Sequence, residues 1–177
     1  MKKKTLALVL ALTLLVAGVV VGTLAWLTDQ TAEVKNTFTV GDINIGLTET
    51  TTDYKMVPGN TIAKDPTVTV KANSEACWLF VKVTESTDLK DFITYAIAEG
   101  WTALPGVDGV YYREVPASAA DQTFSVLAGD AVTVKSDVTR TMLETAKTDA
   151  PTLTFKAYAI QKDHFATADA AWAEVSK

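Results

Sequence analysis

Few residues in this chain of 177 could carry catalysis or hold a metal. It has one histidine, His164, and one cysteine, Cys77. A zinc site needs several nitrogen, sulfur or carboxylate ligands, and acyl-transfer triads need a histidine held between two partners. His164 stands between Asp163 and Phe165, after the last expected strand, and reads as a surface or loop residue. HExxH, CxxC, GxGxxG, P-loop and GxSxG motifs are all absent. Cys77 opens the apolar run Cys77-Trp78-Leu79-Phe80-Val81, where a thiol behaves as a small buried hydrophobe. A single cysteine also excludes an intramolecular disulfide framework. Asp88 with Asp91, and Asp163 with Asp169, offer the oxygen ligands that Ca²⁺ takes, but without EF-hand spacing. With 21 acids in the chain, such pairs are expected on a solvated surface. Trp78, Trp101 and Trp172 could stack on a sugar, yet fit better as core or hairpin-packing residues. No catalytic residue, cofactor or metal ligand is assigned, and the chain is expected not to be an enzyme.

Composition narrows the partners. The formal net charge is −5 and the isoelectric point near 4.9, which excludes a nucleic-acid binder, since phosphates need a basic surface. The hydrophobic share of 48% suffices for one domain with an appendage.

That appendage is the N-terminus. Lys2, Lys3 and Lys4 precede an apolar stretch, and no charge appears between Lys4 and Asp29. Small residues at Thr23 and Ala25 suit a cut between Ala25 and Trp26, the layout of a secretory signal peptide over residues 1–25. The competing possibility is an uncleaved membrane anchor, since the stretch is long enough to span a bilayer of about 30 Å. Either way the remainder is expected outside the cytoplasm, secreted or at the cell surface. Removing residues 1–25 takes away three lysines and no acid, leaving 13 basic against 21 acidic residues.

The remainder reads as strands. Phe38 and Val40, then Ile43, Ile45 and Leu47, alternate with polar residues across the break at Gly41-Asp42. Val57-Pro58-Gly59-Asn60 is a turn leading to the alternating Thr67–Lys71. Cys77–Val83 is apolar on both faces, the mark of a strand covered twice. Further strands are expected at Ile93–Ile97, at Val110–Val115 as a hairpin partner, and around Phe124–Val126 and Val132–Val134. A long one follows at Thr152–Gln161, with Leu153, Phe155, Ala157 and Ala159 on one face and Tyr158 and Ile160 on the other. Thr141 and Glu144 have capping-box spacing, predicting a helix near residues 141–147. Phe165, Ala168, Trp172 and Val175 form an amphipathic stripe for a second near 166–176, capped by Thr167 and favoured by Asp169. About eight strands with short turns predict an all-β, antiparallel, jelly-roll-like β-sandwich over residues 41–177, preceded by an extended segment and first strand over 26–40.

Four segments in order carry a resemblance: Ala25-Trp26-Leu27-Thr28-Asp29; Thr37-Phe38-Thr39-Val40-Gly41-Asp42-Ile43-Asn44-Ile45; the turn Pro58-Gly59-Asn60 leading to Val70; and Phe155-Lys156-Ala157-Tyr158-Ala159-Ile160-Gln161. Together they resemble the TasA/camelysin family of secreted biofilm-matrix proteins, whose signals are handled by a SipW-type signal peptidase. The resemblance implies a jelly roll, a signal peptidase as partner during export, possible accessory matrix proteins, and assembly into extracellular fibres. In such fibres the N-terminal segment of one subunit completes the sheet of the next. This chain lacks the large insertion of the longer fibre-forming members. The metalloprotease activity described for camelysin is not carried over, because no zinc motif is present.

An extended segment with apolar residues at every second place can add to an exposed sheet edge. Trp26, Ala32, Val34, Phe38 and Val40 fall on one face of such a segment. Trp26, Leu27, Ala32, Val34 and Phe38 are therefore the expected donor residues, and strand exchange between copies the expected self-association. The same residues could instead pair within their own sheet. The alternative functions are a monomeric surface module holding a glycan or protein on the Trp101–Tyr112 hairpin, and a camelysin-like metallopeptidase. Contact with the membrane is expected only through an uncleaved signal.

Overall fold

The computed structural model describes Lys3 and residues 42–52 and 54–177. The chain separates into two units, Met1–Thr39 and Val40–Lys177, and the described fold is the second. The expected signal peptide, the cleavage site at Ala25 and Trp26, and the donor residues Trp26, Leu27, Ala32, Val34 and Phe38 lie outside the described residues.

Among the described residues ten short strands form three sheets, antiparallel throughout. The first is β1 (Ile45–Thr48), β3 (Thr67–Val70) and β8 (Gln122–Ser125), with β3 in the middle. The second runs β10 (Leu153–Gln161), β4 (Cys77–Glu85), β7 (Val110–Val115) and β6 (Thr102–Ala103). The third is β2 (Thr61–Ala63), β9 (Ala131–Val134) and β5 (Ile93–Thr94). Three short helices complete the fold: α1 (Leu89–Phe92), α2 (Arg140–Ala146) and α3 (Ala168–Val175). This is the expected all-β, antiparallel sandwich with small helices. Its strands divide among three sheets because the Ala128–Asp130 turn, with Gly129 and Asp130 at positive φ, sends β8 and β9 to different sheets.

Alternation decides what each side chain meets. On β4, Cys77, Leu79, Val81 and Val83 enter the main core with Val68 and Val70 of β3, Val115, Val126 and Trp101. The intervening Trp78 and Phe80 enter a second core under α3. Cys77 through Val81 are consequently buried without interruption, and the strand turns polar at Lys82, where the helix no longer covers it. β10 follows the same rule: Leu153, Phe155, Ala157 and Ala159 pack on the first core, Tyr158 and Ile160 on the second. Burying an apolar side chain of this size contributes about 1.5–3 kcal/mol, so the doubly covered β4 holds a large share of the stabilisation.

α3 begins where expected. Thr167 caps it by accepting from the Ala170 N–H at 3.3 Å, and Ala168 and Ala171 are small enough to seat the helix against the sheet. Trp172 then stacks on Phe80 and Tyr158 at centroid distances of 5.3 and 5.1 Å. α2 differs from expectation at its start. The cap is Thr139, which accepts from Met142 N–H at 3.3 Å, and Thr141 lies inside the helix, its carbonyl accepting from the Thr145 hydroxyl. Two residues upstream, Thr139 already has the extended backbone that an N-cap requires.

Ile93–Ile97 is not one strand. Pairing ends at Thr94, and Ile97 makes only an isolated bridge to Leu127, because the segment leaves the third sheet to run beside Val126–Ala128. β7 does form a hairpin with β6, yet that partner has two residues, and its long partner is β4.

Gly109, with φ near +70°, starts β7 against β4. Its carbonyl accepts from Val83 N–H at 2.7 Å, and a Cβ there would lie 2.4 Å from the Val83 carbonyl oxygen. Gly106 in the same turn also has positive φ but open space around it. Gly106→Ala is expected to cost about 1–2 kcal/mol from backbone handedness alone. Gly109→Ala, which must separate two paired strands, should cost about 3 kcal/mol or more. Urea unfolding of the two variants measures the difference, and equal losses would contradict the packing described.

Candidate functional site

A sandwich has sheet edges on both sides, and here the two sides differ. One is closed by side chains. Trp101 lies beside β6 in the second sheet, and its indole N–H donates to the Ser125 carbonyl of β8 in the first at 2.9 Å. Between them the Arg113 guanidinium lies 3.9 Å from the Phe124 ring centroid and 5.4 Å from that of Trp101. Gly100 leaves room for it, since a Cβ would sit 3.1 Å from an Arg113 terminal nitrogen. The Arg113 Nε is buried without a hydrogen-bond partner among the described residues, and burial lowers the guanidinium pKa from its ordinary value. Aromatic faces, rather than a carboxylate, compensate this cation. Trp101 and Tyr112, expected as an alternative binding platform, are engaged inside: Trp101 is buried, and Tyr112 packs on Trp78 and Phe80.

The opposite side is open. The nine residues of β10 pair with β4 on one side and, among the described residues, with no strand on the other. β10 carries neither proline nor bulge, the usual devices that blunt an edge. At its Leu153–Phe155 end it shares with β1 a cavity of about 380 Å³, lined also by Leu47, Lys64 and Pro66. Leu47 is exposed.

A buried ion pair props up this corner. The Lys64 side chain is only 9% exposed and reaches the Glu49 carboxylate at 2.6 Å. The Tyr54 hydroxyl donates to the same Glu49 oxygen at 2.6 Å, and the Lys64 ammonium faces the rings of Tyr54 and Phe155 at 4.7 and 5.4 Å. Burial, and next the hydrogen bond to Glu49, raise the Tyr54 pKa, so the hydroxyl remains a donor. One residue further on, Thr50 donates its N–H and hydroxyl to Asp65. The β1–β2 connection is thus fastened to the start of β3 at two successive residues. Tyr95, raised in the same way by burial and by its bond to Glu85, holds the far end of β4. No sequence pattern marked Lys64 or Arg113: each stands next to an acid, Asp65 or Glu114, as surface charges commonly do, and its cover arises only when distant strands converge.

The residues weighed for chemistry are scattered. His164 and Asp163 are exposed in a 3₁₀ turn, and Asp169 is exposed in the first turn of α3. Asp88 accepts from the Ser86 hydroxyl at 2.9 Å ahead of α1, and Asp91 lies within that helix. Among the described residues no three His, Cys, Asp or Glu side chains converge as a metal-ligand set. Cys77 is fully buried, and burial pushes its thiol up to about 11, which leaves it protonated and unreactive. Trp78, Trp101 and Trp172 are core residues as expected; the Trp78 N–H donates to the Phe165 carbonyl at 3.0 Å. Among the described residues no helix is long and apolar enough to cross a membrane.

Comparison of the chain with protein-family models, with curated proteins and with solved structures finds no match.

Two outcomes follow from these charges. Lys64→Met strands the Glu49 carboxylate in a buried site and should cost about 3–5 kcal/mol in denaturant unfolding, with Glu49→Gln costing less because its side-chain oxygen still accepts from Tyr54. Asp121 is held below the usual carboxylate range by the Ala72 N–H at 2.8 Å and the Lys71 ammonium at 3.0 Å, and Asp65 by its Thr50 bonds. A depressed folded pKa means the stabilisation is complete above the unfolded value and lost as pH falls through the folded one. The thermal midpoint is therefore expected to drop as pH falls below the ordinary carboxylate range, and to drop less in Asp121→Asn.

Proposed function

We propose that the chain is a secreted structural protein, a subunit of extracellular matrix fibres of the TasA/camelysin kind. Export would use residues 1–25, with cleavage between Ala25 and Trp26. Subunits would then join by β-strand addition, residues 26–40 of one copy completing the sheet of the next. The observation that carries this proposal is the nine-residue β10, free of proline, whose outer edge no described strand occupies. A free edge offers backbone donors and acceptors to any extended chain with apolar residues at alternate places. Residues 26–40 have Trp26, Ala32, Val34, Phe38 and Val40 at such places, interrupted by Thr28, Gln30 and Asn36. Trp101 is buried and Tyr112 is half-buried against Trp78 and Phe80, which supports the edge over a binding module on the Trp101–Tyr112 hairpin.

The secreted protein is expected to begin at Trp26 when its N-terminus is sequenced. Purified residues 26–177 should scatter light increasingly with concentration and show filaments by negative-stain electron microscopy, while a chain starting at Phe38 stays monomeric. Filaments from both chains, or from neither, would sink the strand-addition mechanism.

A further inference from the structure

The Glu49–Lys64 ion pair leaves hydrogen-bonding capacity unused. Both side chains are mostly buried, at 16% and 9% exposure. Lysine carries three N–H donors, and among the described residues only Glu49 Oε1 takes one. That oxygen also accepts from Tyr54, while Oε2 accepts from none of the described residues. Buried polar groups are ordinarily satisfied, and a buried ion pair holds no stability advantage over well-packed apolar side chains. This pair instead lines the cavity of about 380 Å³ between β1 and β10. Leu47, Pro66, Leu153 and Phe155 give the same cavity an apolar wall, of which Leu47 remains exposed. Set against the cavity of about 150 Å³ that takes up benzene, the space holds roughly ten to fifteen non-hydrogen atoms.

The charges of the pair decide which head group suits it. A carboxylate only accepts, an ammonium only donates, and here the two already cancel. A carboxylate ligand could bond to Lys64 but would lie against Glu49, and an ammonium ligand meets the reverse conflict. Either would bring an unbalanced charge into a largely desolvated place. An amide both donates and accepts. Its N–H can reach Glu49 while its carbonyl takes a free N–H of Lys64, and no charge is added. The apolar wall beside the pair asks for hydrocarbon on the same molecule.

We propose that the cavity between β1 and β10 binds a neutral acyl amide, its amide on Glu49 and Lys64 and its hydrocarbon chain along Leu47, Leu153 and Phe155. The site is complete within one subunit and does not depend on the fibre mechanism proposed above. It gives the ion pair a use besides fastening the β1–β2 connection, and it gives the exposed Leu47 a cover.

The test titrates octanamide into residues 26–177, at a protein concentration where light scattering shows no assembly, and follows the ligand by saturation-transfer NMR. Octanamide should bind with a Kd of about 1 mM or tighter. Octanoate and octylammonium, of the same chain length, should bind about tenfold more weakly. Glu49→Gln removes the carboxylate and leaves Lys64 uncompensated, so octanoate should then bind more tightly than octanamide. Leu47→Thr keeps strand propensity but loses apolar wall, and should weaken octanamide about fivefold. Val57→Thr, at an exposed hydrophobic outside the cavity wall, should leave binding unchanged. The Leu47 comparison stands alone if Glu49→Gln does not fold. No binding of octanamide by the unaltered chain overturns the proposal. So does a ligand order that a folded Glu49→Gln leaves as it was, or an equal effect of Leu47→Thr and Val57→Thr.

Discussion

Burial of β4 on both of its faces is the constraint from which the rest of the structure follows. A strand with Cys77, Leu79, Val81 and Val83 on one side and Trp78 and Phe80 on the other has no face to give to water. One side requires an opposing sheet, supplied by β3 and its neighbours. The other requires a separate cover, and α3 supplies it with Ala168, Ala171 and Trp172. β10 can flank β4 because it repeats its division, with Ala157 and Ala159 opposite Val81 and Leu79 on one side and Tyr158 and Ile160 opposite Phe80 and Trp78 on the other. The change to Lys82 on β4 and Lys156 on β10 marks the end of the helix cover, one position in register across both strands.

Two cations, Lys64 buried and Arg113 half-buried, show how the sides of such a sandwich are made unequal. Arg113 is held by the faces of Trp101 and Phe124 and ties the β6 and β8 sides together without a carboxylate. Lys64 is satisfied by Glu49 and Tyr54 and pins the β1–β2 connection, leaving a cavity between β1 and β10. Aromatic packing seals one side, while the ion pair stiffens the rim of the other. Stiffening matters at an open edge, because a strand that binds there gains affinity when the receiving backbone need not be ordered first.

The strands that could be read from sequence are those whose burial follows simple alternation. β3, β4 and β10 stood out because their two faces differ, or because both are apolar over many residues. α3 was legible for the same reason, with Thr167 and Asp169 at its start. What escaped was decided at a distance. Ile93–Ile97 has the composition of a strand, but its pairing is shared between β9 and Leu127, which belong to different parts of the molecule. Thr141 and Thr139 compete for one cap, and the backbone path after Val138, itself buried, settles the competition. The edge position of β10 could not be named from sequence at all, since an edge is defined by which strand is missing beside it. Lys82 and Lys156 are 74 positions apart in the chain. They stand opposite each other only in the register of β4 with β10.

The placement of α3 also sets an order of events. The cover for Trp78 and Phe80 comes from the last ten residues of the chain, and the strand beside them from the twenty or so before those. A chain made from its N-terminus therefore presents β4 long before anything can shield its outer face. Completing the second core has to wait for α3 to emerge. Loss of even the last two turns would leave a permanently uncovered aromatic face rather than a slightly shorter protein.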